Sequence, residues 1–175
     1  MRPEPALAKD LYVSPWFRLA RTHIEATGSP WFILSAKYGP VVPDHMLAPY
    51  QQTLNKRPVV ERRERANRVQ AQMAQALPAA SLIVVFAVVR YRENLIGYLR
   101  QRPPVIEVQM EGLPIGKQLQ WLRAQVDRLS NRQSALSQTL HAPDSVTRRA
   151  CHEYPQKLPL CGPARRNGVL HLINL

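Results

Sequence analysis

Cysteine is nearly absent from this chain: Cys151 and Cys161 are the only two in 175 residues, and both fall late. No disulfide framework can therefore staple the core, which fits a reducing compartment. Acidic residues are also scarce. Twelve Asp and Glu face 24 Lys and Arg, giving a net charge of +12 and a pI near 10.5. A balance so one-sided attracts polyanions such as nucleic acid or an acidic membrane surface, although charge by itself names no partner. Long apolar runs are missing as well. The longest, "SLIVVFAVV" from Ser81 to Val89, falls far short of the roughly 20 residues that cross a bilayer. No charged-then-apolar leader precedes the first helical segment. These absences point to a cytoplasmic protein with no membrane partner. Catalytic signatures are lacking too: there is no Ser-His-Asp order, no H-E-x-x-H and no phosphate loop, so motif supports neither a standard hydrolase nor a nucleotidase.

What remains is a chain that is 45% hydrophobic, enough to bury a core. "SPWFRLARTHIEATG" places Ser14 as an N-cap, Pro15 in the first turn and Gly28 as the stop, with Trp16, Leu19, Ala20 and His23 or Ile24 at helical spacing. "WFILSA" and "SLIVVFAV" are short, continuously apolar runs, which read as strands buried on both faces. Between them Val59–Leu77 is rich in helix formers and stops before Pro78. A further helix is predicted around "YRENLIGYLRQR", then a half-buried strand at "VIEVQM", then a helix from about Pro114 to Leu129. The alternation predicts an α/β fold: one domain over residues 1–129, with a mostly parallel or mixed central sheet flanked by helices. Residues 130–175 carry clustered Pro and Gly, scattered arginines and no sustained period, and are read as a basic, poorly ordered tail.

In open α/β sheets ligands bind outside the carboxyl ends of the strands. The turn leaving the first apolar strand, "SAKYGPVVPDHMLAPY", has fitting residue types. Ser35 and Tyr38 offer hydroxyls, Lys37 a mobile cation and Gly39 close backbone approach, while Asp44 brings a carboxylate and His45 a group titrating near neutrality. Pro40, Pro43 and Pro49 stiffen it. The bland reading uses the same residues: Ser35 and Asp44 as caps, Tyr38 and Tyr50 as wedges on the core. A second cluster, Lys56, Arg57, Arg62, Arg63, Arg65 and Arg68, could follow a phosphate backbone. The i,i+4 spacing of Glu61 with Arg65 and of Glu64 with Arg68 makes part of it an ordinary solvated face. Cys151, His152, Cys161 and His171 are zinc-ligand types without tight spacing, so no metal and no cofactor is assigned. "GLPIG" reads as a helix-entry turn with amides that an anion could use.

Three stretches, "AKDLYVSPWFRLAR", "WFILSAKYGPVVPDHMLAPYQQTL" and "EGLPIGKQLQWL", resemble an uncharacterised family of bacterial and phage domains. Its hallmark is A-x-D-L-Y-x-S-x-x-F followed by L-S-A-K-Y-G-L and P-Y-D. The turn is distantly similar to that of the YaaA peroxide-stress proteins, S-x-x-Y-G-x-x-x-P with a following P-Y. The resemblance spans about Ala6 to Leu122. It implies a YaaA-type α/β fold with links to DNA binding and to nucleobase-processing enzymes such as uracil-DNA glycosylases. Its motif falls on Asp10, Tyr12, Ser14, Ser35, Lys37, Tyr38, Gly39, Pro43, Pro49 and Tyr50. With the residue types of the turn, which add Asp44 and His45, the motif makes Asp10, Ser35, Asp44 and His45 the catalytic candidates, and Tyr12, Ser14, Lys37, Tyr38, Gly39 and Tyr50 the ligand-binding ones. The chain departs from the pattern at Pro40, where the family has leucine, and at Gln51, where it has aspartate. Family members also begin with a further strand carrying Cys and Lys, so the sheet is expected to lack an edge or a central strand, along with part of the site.

The expected function is a nucleic-acid- or nucleotide-associated domain, with base modification or a DNA-damage or stress role in view. The alternatives are a non-enzymatic, sequence-independent DNA- or RNA-binding protein and an inactive, shortened family member.

Overall fold

The computed structural model describes residues 1–101, 105–139 and 168–174. The chain folds as one mixed α/β domain. It opens with a short strand β1 (Ala6–Leu7) and helix α1 (Ala8–Leu11), followed by α2 (Pro15–Glu25), strand β2 (Trp31–Ser35) and the short strands β3 (Gly39–Val41) and β4 (Met46–Leu47). Then come α3 (Val59–Ala76), β5 (Leu82–Phe86), α4 (Val89–Arg92), α5 (Ile96–Arg100), β6 (Val105–Val108), α6 (Ile115–Thr139) and β7 (Val169–Asn174).

Local chemistry explains most of these boundaries. Ser14 caps α2 by accepting the Phe17 amide at 3.2 Å, and Pro15 occupies the first turn, where no amide is needed. Helix α3 ends at Leu77, whose extended backbone suits the residue before Pro78. The helix expected around Tyr91 to Arg102 is instead two short helices, and the break is held by α3. Arg62 pairs with the Glu93 carboxylate at 2.6 Å, and Gln70 donates to the Asn94 carbonyl at 3.1 Å, satisfying a backbone acceptor that a continuous helix would have used itself.

The main sheet has the order β3-β2-β7-β5-β6. Strands β2, β7, β5 and β6 are parallel, and β3 pairs antiparallel on the edge. Helices α2 and α6 cover one face with Trp16, Phe17, Ala20, Ile24 and Leu122. Helices α3 and α5, with Leu95 at the α5 N-cap, cover the other through Ala66, Val69, Met73, Leu95 and Leu99.

The reading of residues 130–175 as a tail is corrected by the sheet: β7, from that segment, sits between β2 and β5. Its register runs from Trp31↔His171 to Leu34↔Asn174 on one side and from Leu82↔Val169 to Phe86↔Ile173 on the other. Leu170, Leu172 and Ile173 are fully buried, each contributing about 1.5–3 kcal/mol by the usual transfer scale. The break at residue 129 is likewise not structural, because α6 continues to Thr139. Residues 140–167, including Cys151, His152 and Cys161, lie outside the described residues.

All four parallel strands end at the same edge, so Ser35, Asn174, Ala87 and Gln109 mark one rim of the sheet. Asn174 ties two of these ends by accepting the Val88 amide at 2.8 Å. Among the described residues no helix is long and apolar enough to cross a membrane.

Candidate functional site

At the end of β2 the chain turns sharply through Ser35–Gly39. Ser35 Oγ accepts the amides of Lys37 at 3.2 Å and Tyr38 at 3.1 Å. With both lone pairs occupied, the hydroxyl gives its proton to Tyr50 at 2.6 Å, and Tyr50 passes its own to Tyr12 at 2.7 Å. Ser35 and Tyr12 are buried and Tyr50 is half-buried. Burial, first of all, raises both phenols above their ordinary range, so both stay protonated at neutral pH. No histidine or carboxylate hydrogen-bonds this relay among the described residues. Ser35 is therefore a turn-closing hydroxyl without a general base, which argues against its assignment as a nucleophile.

The two halves of the sequence motif meet in this corner. β1 pairs antiparallel with β4, the Ala8 amide donates to the His45 carbonyl at 2.8 Å, and the Lys9 amide donates to the Pro43 carbonyl at 2.9 Å. Lys9 and Asp44 form an ion pair at 2.5 Å. Arg21 holds Asp10 at 2.6 Å and Glu25 at 2.9 Å, fastening α1 to α2. The Arg21 hydrogen bond also lowers the Asp10 carboxyl below its usual value, so it is a poor proton acceptor near neutrality. His45 is exposed on the surface, where its backbone does the bonding. The four catalytic candidates thus do not assemble: Asp10 and Asp44 are spent on separate cations, and neither they nor His45 hydrogen-bonds to Ser35. Among the ligand-binding candidates, Ser14 is a helix cap and Gly39 a backbone requirement. Gly39 has φ +81°, and a Cβ there would collide with Gln72 Oε1. Lys37 remains exposed, its ammonium 4.9 Å from the Tyr38 ring centre.

The arginine cluster divides in two. Arg65 turns inward, 5% exposed, donating to the carbonyls of Ser35 and Ala36 beneath the turn and lying 5.7 Å from the Tyr91 ring. Arg62, 6% exposed, bonds Glu93 and the Arg57 carbonyl. Neither can touch nucleic acid, because their side chains are consumed in the packing of α3 on the sheet edge. Glu61 pairs with Arg57 at 2.8 Å rather than with Arg65. Lys56, Arg63 and Arg68 are exposed and belong to no ion pair among the described residues.

Further along the same rim lies a cleft of about 330 Å³, walled by Trp16, Arg92, Gln109, Glu111, Leu113 and Gln118 with the backbone of Ala87–Val89. Its turn is unusual: Met110 has φ +58° and Gly112 φ +74°, and a non-glycine residue in the left-handed region is uncommon. The "EGLPIG" stretch forms its lip. Arg92 and Gln109 carried no signal in the sequence, and Trp16 read simply as a core position. Beside Tyr50 a wider depression of about 770 Å³ is bounded by Met1–Pro3 and Pro49–Thr53. Among the described residues no three His, Cys, Asp or Glu side chains converge as a metal cage.

No curated protein and no solved structure matches this chain. A family model does match, over residues 1–124, the stretch that contains the stitched corner and the lip of the cleft. The chain belongs to that family, which is one of unknown function (DUF6884).

Proposed function

We propose that this chain is a nucleic-acid- or nucleotide-associated α/β domain that holds its partner by charge and performs no chemistry at the serine–tyrosine corner. The observation that carries this reading is the distribution of charge. Among the described residues six ion pairs engage six of the acidic side chains, while Lys37, Lys56, Arg63 and Arg68 stand exposed on the β2–β3 turn, the following loop and α3. Surplus cations of this kind neutralise phosphates and release counterions, which needs no sequence readout. The corner supports the same conclusion, since its hydroxyls are mutually satisfied and its carboxylates are paired away. The resemblance of the turn to that of the YaaA proteins points in the same direction.

The test is fluorescence anisotropy with a short single strand and a short duplex between 50 and 200 mM salt, at roughly the range where binding to phosphates weakens steeply. Lys56→Ala/Arg63→Ala/Arg68→Ala is expected to flatten the log K against log salt slope by about 0.7–0.9 for each phosphate that is no longer neutralised. Salt-insensitive binding, or none, removes the proposal.

A further inference from the structure

The cleft between the ends of β5 and β6 is used by neither the corner nor the exposed cations. Arg92 stands in its wall with a side chain only 13% exposed, paired at 2.7 Å with Glu111, which is 57% exposed at the lip. The Arg92 Nε also donates to the Ala87 carbonyl at 3.1 Å, which fixes the plane of the guanidinium. These two bonds leave guanidinium N–H groups without an acceptor among the described residues. Across the cleft, Gln118 accepts the Trp16 indole N–H at 3.0 Å and donates to the Leu113 carbonyl at 2.6 Å, which fixes the orientation of the indole in the cleft wall. Leu113 and Val89 leave apolar surface exposed at the rim.

We infer that this cleft binds a small organic anion with a planar body. Its phosphate or carboxylate head takes the place of Glu111 on Arg92, and its ring lies against Trp16 and Leu113. Glu111 already makes the bond that such a head would make. Glu111 is itself more than half exposed, so its carboxylate regains water when it swings out, and the incoming anion pairs the guanidinium again so that no buried charge is left alone. An incoming anion can then use the guanidinium as a fork, a geometry that favours carboxylate and phosphate. The volume suits a ligand of mononucleotide size, at the lower end of the roughly 300–1,000 Å³ typical of small-molecule sites. Glu111 thus acts as an internal competitor. Its removal strengthens binding, whereas loss of an ordinary structural acid does not.

This site is separate from the polyanion surface and stands without it. Isothermal titration of the full chain with AMP, benzoate and inorganic phosphate tests it. The ring-bearing anions are expected to bind more tightly than phosphate. Glu111→Gln, a lip substitution that leaves the core untouched, is expected to tighten both by about fivefold, and Arg92→Gln to weaken them by more than about tenfold. Glu111→Gln leaves the oligonucleotide salt slope unchanged, so failure of one reading is distinguishable from failure of the other. The assignment is overturned by the absence of binding in both wild type and Glu111→Gln at millimolar probe, by equal or weaker binding in Glu111→Gln, or by phosphate binding as tightly as the ring-bearing probes.

Discussion

His171 should make this protein acid-sensitive. It sits on β7, the strand at the middle of the sheet, 5% exposed. Its ring centre lies 6.1 Å from that of Phe86 on β5, and its Nδ1 has no hydrogen-bond partner among the described residues. His23 of α2 also stands against the Phe86 ring, at 5.9 Å between ring centres; its Nδ1 is likewise unpartnered, and it packs against Trp121 of α6. Burial, with a smaller contribution from His23, pushes the His171 imidazolium down from the ordinary 6.5 to about 4. The folded protein therefore keeps His171 neutral, while the unfolded chain takes up a proton once the pH falls below 6.5. Stability is fully present above that value and is lost as pH falls toward about 4. At 1.36 kcal/mol per pK unit the whole loss is ~3 kcal/mol, with ~2 kcal/mol of it between pH 7 and pH 5. Urea titrations of wild type and His171→Leu at pH 7, 6 and 5, followed by circular dichroism, would measure it. The wild type is expected to lose ~2 kcal/mol more than the variant over that interval. Parallel pH curves for the two proteins would refute the placement of His171 in an anhydrous core.

Three further outcomes follow from the packing. Arg65→Met strips the Ser35 and Ala36 carbonyls of their buried donor and is expected to cost ~2–3 kcal/mol in chemical denaturation. Arg63→Met on the exposed face should stay within about ±0.5 kcal/mol, and equal effects would contradict the division of the cluster. Gly39→Ala forces a side chain onto φ +81°. A fall of ~1–2 kcal/mol is expected there, and an unchanged melting temperature would mean the turn is drawn wrongly. Leu172→Ala, at a fully buried position of β7, is expected to destabilise by ~2–5 kcal/mol. A loss under about 0.5 kcal/mol, as at a solvent-exposed position, would show that β7 does not occupy the middle of the sheet.

Local signals in the sequence were sufficient for α2, β2, α3, β5 and β6. Ser14, Pro15 and the Leu77–Pro78 step act through neighbouring backbone, and the apolar runs state their own period, so nothing distant is needed to read them. The motif around Asp10 to Tyr50 was also visible as a pattern, but its meaning was not. Whether Ser35, Asp10 and Asp44 work together or are tied to Tyr50, Arg21 and Lys9 depends on pairings between residues separated in sequence. The same holds for Arg62 and Arg65, whose helical spacing says which face they share but not that this face is buried. β7 was missed because a six-residue apolar segment interrupted by His171 and Asn174, beyond a Pro- and Gly-rich stretch, has no local mark of centrality. Only parallel pairing with both β2 and β5 makes it the middle of the sheet. The cleft at Arg92 is likewise a product of tertiary structure: α2, α4 and the turn before α6 each supply one wall, and no contiguous stretch of chain contains enough of it to be read alone.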